Sequence, residues 1–191
     1  PSVVAARMTY AAAPEAFHGA IAAGLLGCGS VVLGSAEVAG NFLTSIANAA
    51  EASGHDINAA AAEAIAELRK DKKPAPGFGH PQHSGGDPRA NLLLKMAKEE
   101  GIEGRHIAAL RAVETCLPDT IGRSLPINVN GAIPAIMLDV GFPLQALKGI
   151  SLLARTASLI GHLQGEAERP IGFILSGKAA EAIDYDGPEP E

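Results

Sequence analysis

Apolar side chains return at three- and four-residue intervals over most of this chain: Phe17 to Leu26, Val38 to Ala50, Ala59 to Leu68, Leu92 to Ala97, Ile107 to Leu117, Ile133 to Leu138 and Leu144 to Leu163. That interval puts them on one face of a helix, so the pattern predicts seven or more helices and an all-α fold. Pro14 is expected to open one helix and Asp56 to cap the run from Ile57, while Asp87-Pro88 combines an N-cap with proline at the first helical position. Gly101, Gly122, Gly141 and Gly165 stand where runs stop. Lys72 to Gly86 breaks the rhythm, because Pro74, Pro76, Gly77, Gly79, Pro81, Gly85 and Gly86 exclude regular helix. A long loop of this kind is a common carrier of function. Ile183 to Glu191 reads as a polar tail.

Composition narrows the class. The 191 residues are 47% hydrophobic but only 4% aromatic, with no Trp. Small aliphatic residues suit close-packed helices better than sheets, and the length suffices for one core or two small lobes. The net charge of −6 excludes a generic nucleic-acid binder, so any anionic small molecule must be held by a local cluster of cations. No apolar run reaches a membrane span and no signal pattern opens the chain, so no membrane partner is expected. Cys28 and Cys116 sit in apolar surroundings without metal-ligand spacing, which predicts buried free thiols, no metal site and a reducing, cytoplasmic compartment. The chain begins at Pro1, and Ser2 to Arg7 already has helical character. Further chain is therefore expected to precede it.

Three places could carry chemistry. The loop Gly77-Phe78-Gly79-His80-Pro81-Gln82-His83-Ser84-Gly85-Gly86-Asp87-Pro88-Arg89 combines glycines, which let backbone approach a ligand, with an imidazole that works near neutral pH and a forked cation for a carboxylate. A small polycarboxylate would suit it, and a structural loop with surface His and Arg is the competing reading. Arg155 interrupts an apolar helix and must meet either a partner or a ligand. Arg169-Pro170 is a weaker candidate, equally readable as a surface arginine.

Taken together and in order, Gly77-Phe78-Gly79-His80, Asp87-Pro88-Arg89, Asn128-Val129-Asn130-Gly131, Ala154-Arg155-Thr156 and Arg169-Pro170 resemble the signature of the citrate synthase superfamily. Ile21-Ala22-Ala23-Gly24 and Tyr185-Asp186-Gly187 extend the resemblance over nearly the whole chain. Within the superfamily, the pattern is most similar to the short bacterial citryl-CoA lyase-like proteins and the C-terminal module of ATP-citrate lyase. The resemblance implies a large helical lobe (residues 1–35 and 141–191) and a small one (36–140). It also implies a homodimer, in which Arg169 reaches the neighbouring site. By the same resemblance, His80 bonds the substrate's carbonyl or hydroxyl oxygen, and Arg89 and Arg155 hold its carboxylates. Lys73, Pro74, Ala75, Pro76, Gly77, Phe78 and Gly79 lie against coenzyme A, the acyl carrier of the substrate, with Arg69, Lys70, Lys72 or Lys73 available to its phosphates. His83 is a candidate second acid or base.

Two positions depart from the pattern. Family synthases take a methyl proton from acetyl-CoA with an aspartate where this chain has Asn130, and an amide is no proton acceptor. Leu33 stands where their L-H-G-G histidine stabilises the enolate, a loss that citrate-cleaving relatives share. Cleavage of citryl-CoA to acetyl-CoA and oxaloacetate is therefore the leading expectation. The alternatives are synthase-like condensation of an acyl-CoA with a 2-oxo acid, and a catalytically silent CoA- or carboxylate-binding homologue.

Overall fold

The computed structural model describes residues 1–54, 56–79, 85–184 and 186–188. Ten α-helices run along it: α1 (Ser2–Ala12), α2 (Phe17–Leu26), α3 (Gly29–Leu33), α4 (Ser35–Ser53), α5 (Ile57–Lys70), α6 (Pro88–Glu99), α7 (Arg105–Ile121), α8 (Val129–Asp139), α9 (Leu147–Glu168) and α10 (Gly172–Ala182), with a 3-10 turn over Leu144–Ala146. Among the described residues the only β-type pairing is one antiparallel bridge, Phe78 to Ile127. None of these helices is long and apolar enough to cross a membrane. Packing divides the chain into two units, Pro1–Leu33 with Ser151–Glu191, and Gly34–Ile150.

In the first unit α1 packs on α2 and α10, around a core of Ala6, Ala20, Leu159 and Leu163. Ser2 donates to the carbonyl of Gly24 at 2.7 Å, and Tyr10 meets Phe17 edge-on. Leu33, at the end of α3, is buried. In the second unit α4, α5, α7 and α8 enclose a core of Leu43, Ile46, Ile65, Leu110, Val113 and Leu117. Leu and Ile at helical spacing supply its volume, and alanines let the helices approach closely.

Several boundaries depart from the sequence expectation. Pro14 does not open a helix: residues 13–16 form a turn, and α2 begins three residues later at Phe17. Gly165 does not end α9, which continues to Glu168. Its missing side chain instead leaves room beside the Arg7 guanidinium, and Pro170 is what stops the helix. α10 was not anticipated, because Gly172 and Gly177 interrupt a segment with weak periodicity. Cys28 is buried as expected, whereas Cys116 is only partly buried. Burial, then the charges of Asp119 and Asp56, push its thiol pKa up, so the thiolate is scarce.

One polar contact closes the second unit far from any sequence motif. The Asp139 side chain, 3% exposed at the end of α8, accepts from the backbone N–H groups of Gly104, His106 and Ile107 and from His106 Nδ1 at 2.8 Å. Those amides are the unsatisfied donors at the start of α7, so a residue from another helix does the work of an N-cap. A Cβ on Gly104 would collide with this carboxylate. Asp139→Ala strands the buried donors at the start of α7. We expect it to lower unfolding free energy by about 3 kcal/mol, read as a reduced urea midpoint with an unchanged m value.

Candidate functional site

The second unit joins the Pro/Gly loop to the start of α8. Gly79 N donates to Pro126 O at 2.8 Å and Asn128 N to Gly77 O at 2.9 Å, flanking the Phe78–Ile127 bridge. The Asn128 side chain completes the join: Oδ1 accepts from Asn130 N as the N-cap of α8, and Nδ2 donates to Gly79 O at 2.7 Å. Gly77, at φ +87°, and Gly131 are in backbone contact. A Cβ on Gly131 would lie 2.6 Å from Gly77 O, and one on Gly77 2.7 Å from Gly131 Cα. Only glycine fits at both positions.

Asp87 fastens a second segment to the same place. Its side chain is 1% exposed and receives four donors: Arg89 N, Nε and Nη2, and Val129 N, at 2.9–3.0 Å. The carboxylate thus caps α6, aligns the Arg89 guanidinium by a two-point contact and ties down the first amide of α8. Arg89 holds the Asp87 carboxyl far below the usual carboxylate range, and the pair raises the Arg89 pKa in return. Nε and one Nη2 hydrogen of Arg89 are committed to Asp87. The outer Nη1–Nη2 edge of this half-exposed side chain stays open to an anion. Asn130 is the second residue of α8, partly buried, and its side chain has no hydrogen-bond partner among the described residues.

Beside this junction lies a cleft of about 580 Å³ between the ends of α5 and α7. Its apolar wall includes Ile65, Leu68, Phe78, Leu117, Ile121 and Leu125, and its cations are Arg69, Lys72, Lys73 and Arg123. Among the described residues no acidic one lines it, which in a chain of net charge −6 is a local reversal of sign. Arg69 donates to Thr120 O and so bridges the two helix ends. Lys73 pairs with Asp71 at 2.8 Å, whereas Lys72 and Arg123 have no acidic partner among the described residues. Lys72 has φ +55°, the only described non-glycine residue in the left-handed region. It follows α5, where Lys72 N donates to Arg69 O and Lys73 N to Leu68 O. These bonds form a helix-ending motif that normally takes glycine. A flat apolar ligand carrying phosphates matches such a wall and rim.

Four of the seven loop residues expected to meet a ligand, Lys73, Pro74, Ala75 and Phe78, line the cleft; Pro76, Gly77 and Gly79 do not, and the two glycines serve the join to α8. Lys70 is turned to Glu67. Arg123 escaped the sequence reading, since a lone arginine after a helix-ending glycine carries no local signal. His80, His83 and Tyr185 lie outside the described residues. Arg155 and Arg169 belong to the first unit. Arg155 is partly buried and Arg169 exposed, each without a side-chain partner among the described residues.

The family profile described as citrate synthase, C-terminal domain, matches residues 1–171. Comparison with curated proteins found no significant match. Among solved structures, citryl-CoA lyase from Hydrogenobacter thermophilus is 28% identical with a TM-score of 0.83, over 100% of this chain and 71% of that one. An ATP citrate lyase variant from Methanosaeta concilii, in complex with (3S)-citryl-CoA, is 22% identical (TM-score 0.67) over 98% of this chain and 30% of that one. Citrate synthase from Thermoplasma acidophilum, in a ternary complex with carboxymethyl coenzyme A and oxaloacetate, is 19% identical (TM-score 0.69) over 100% of this chain and 49% of that one.

The Asp87 cluster has a pH signature. Its folded pKa is depressed, so its stabilisation is complete above the unfolded value of about 4 and is lost as pH falls through the folded value. Asp87→Asn should cost about 2 kcal/mol at pH 7. The difference from wild type, followed by urea unfolding, should shrink progressively below about pH 4. A difference independent of pH down to pH 2 would contradict this.

Proposed function

Because the chain belongs to the citrate synthase family through its C-terminal domain, we propose that it acts as a citryl-CoA lyase, cleaving citryl-CoA to acetyl-CoA and oxaloacetate. The observation that carries this reading is the neighbourhood of two anion-binding features in the second unit: the cation-rimmed cleft and the Asp87-aligned Arg89. The cleft suits the nucleotide end of coenzyme A, with Arg69, Lys72, Lys73 and Arg123 available to phosphates. Arg89 suits a carboxylate of the citryl group, and Arg155 a second. The likeness to the Hydrogenobacter thermophilus citryl-CoA lyase supports the same substrate.

In the proposed reaction His80, next in sequence after Gly79, takes the proton of the citryl hydroxyl. The oxygen's electrons form the oxaloacetate carbonyl while the bond to the thioester methylene breaks, leaving the enolate of acetyl-CoA, which is then protonated on carbon. His83 is a candidate donor for that proton. The Asn130 amide can donate a hydrogen bond to the enolate oxygen but cannot remove a methyl proton. Asn130 therefore leaves proton transfer at that carbon, in either direction, to another group. Exposed apolar side chains in the first unit, Leu26, Leu153, Phe173, Ile174 and Ile183, each more than 60% exposed, support a homodimer that covers them. Within it, Arg169 serves the substrate carboxylates of the neighbouring copy.

Oxaloacetate release from citryl-CoA, followed by coupled oxidation of NADH with malate dehydrogenase, should be measurable for the wild type and about a hundredfold to ten-thousandfold slower for His80→Ala. Equal rates for the two would remove the lyase reading. Lys72→Gly should act in opposite directions on stability and binding. Relief of the left-handed lysine should raise unfolding free energy by about 0.5–1 kcal/mol, while calorimetry should show weaker coenzyme A binding.

A further inference from the structure

Glu166 is a carboxylate that the proposed chemistry leaves unused. It lies on α9, 1% exposed, and its hydrogen-bond partners among the described residues all belong to the first unit. Oε2 accepts from Arg7 Nη1 at 2.8 Å, and Oε1 accepts from Ile171 N at 2.9 Å and Gly172 N at 2.7 Å. Burying an ionised carboxylate is unfavourable unless its lone pairs are satisfied. Here a guanidinium and two amides at the start of α10 satisfy them.

The three residues bracketed by these contacts are Arg169, Pro170 and Ile171. On one side Arg169 N completes the last turn of α9 by donating to Gly165 O at 3.0 Å. On the other, Glu166 grips the amides of Ile171 and Gly172. Pro170 fixes its own φ between the two. Gly172 has no room to shift, since a Cβ there would lie 2.6 Å from Ala11 Cβ and 2.7 Å from Arg7 O. The corner is therefore held at both ends, and the one long side chain it presents to solvent without a partner among the described residues is Arg169.

We propose that Glu166, charged and clamped by Arg7, is a positioning residue that fixes the direction in which Arg169 is presented to a substrate carboxylate. This rests on the reading of Arg169 as a carboxylate-binding residue. Neither Glu166 nor Arg7 touches substrate in this arrangement; both act through the corner. Preorganisation of this kind lowers the ordering cost at binding, so its loss should show in the affinity for the carboxylate-bearing part of the ligand alone.

The test is a double-mutant cycle on the full chain with Glu166→Gln and Arg169→Ala, measuring KM for citryl-CoA and, by calorimetry, affinities for oxaloacetate and for coenzyme A. Expected are a roughly tenfold rise in KM and a roughly tenfold loss of oxaloacetate affinity for each single variant, unchanged coenzyme A affinity, and a double variant no worse than Arg169→Ala. Additive effects, parallel loss of coenzyme A affinity, or an unaffected Glu166→Gln protein would each overturn the proposal. Should Glu166→Gln fail to fold, Arg7→Lys keeps the charge but not the guanidinium, and the same pattern is required of it with a smaller loss. A wild type that binds oxaloacetate without cleaving citryl-CoA would refute the lyase reading while the cycle on oxaloacetate affinity still decides this one. A wild type that binds neither ligand would refute both.

Discussion

The direction of Arg89 and its join to α8 depend on a single buried carboxylate. Asp87 collects two side-chain donors from Arg89 and two backbone amides, one from α6 and one from α8. An isolated ionised carboxylate at 1% exposure would be expensive, and four donors make it the best-satisfied group near the cleft. Because two of those donors belong to a guanidinium, stabilising the fold and aiming a cation at solvent are one interaction. Removing the charge would release the Arg89 guanidinium and the first amide of α8 together.

The molecule uses the same device three times, each over a different sequence distance. Asp87 caps its own helix and also reaches an amide forty-two residues on. Asp139 caps a helix that begins more than thirty residues before it. Glu166 holds the start of the next helix while pairing with an arginine 159 residues away. In each case a buried carboxylate satisfies helix N-terminal amides together with a charged or ionisable side chain. Few described polar atoms are left over: only Thr44 Oγ1 is buried without a partner.

That pattern explains what could be read in the sequence. The helical class follows from apolar periodicity, and Asp87-Pro88-Arg89 was legible because cap, proline and arginine act within three residues. The loop glycines were visible as breakers, but their purpose was not. Gly77 and Gly79 were expected to lie against a ligand; the structure adds that their backbone pairs with residues 126–128. Asp139 and Glu166 looked like ordinary helix-surface acids, since nothing local distinguishes a carboxylate that caps a distant helix. Arg123 and the strain at Lys72 were hidden for the same reason: both depend on where α5 and α7 end relative to each other. Asn130 is the reverse case, where the residue type alone limited the chemistry before any geometry was known.

The contact between Gly77 and Gly131 carries one more consequence. With no side chain between them, residues 77–79 and the first turn of α8 form a single piece, and a displacement of one is carried to the other. At residues 77–79 the ordering that many binding loops undergo when their ligand arrives takes place when the chain folds. A ligand meeting this spot would be selected by shape complementarity to a finished surface.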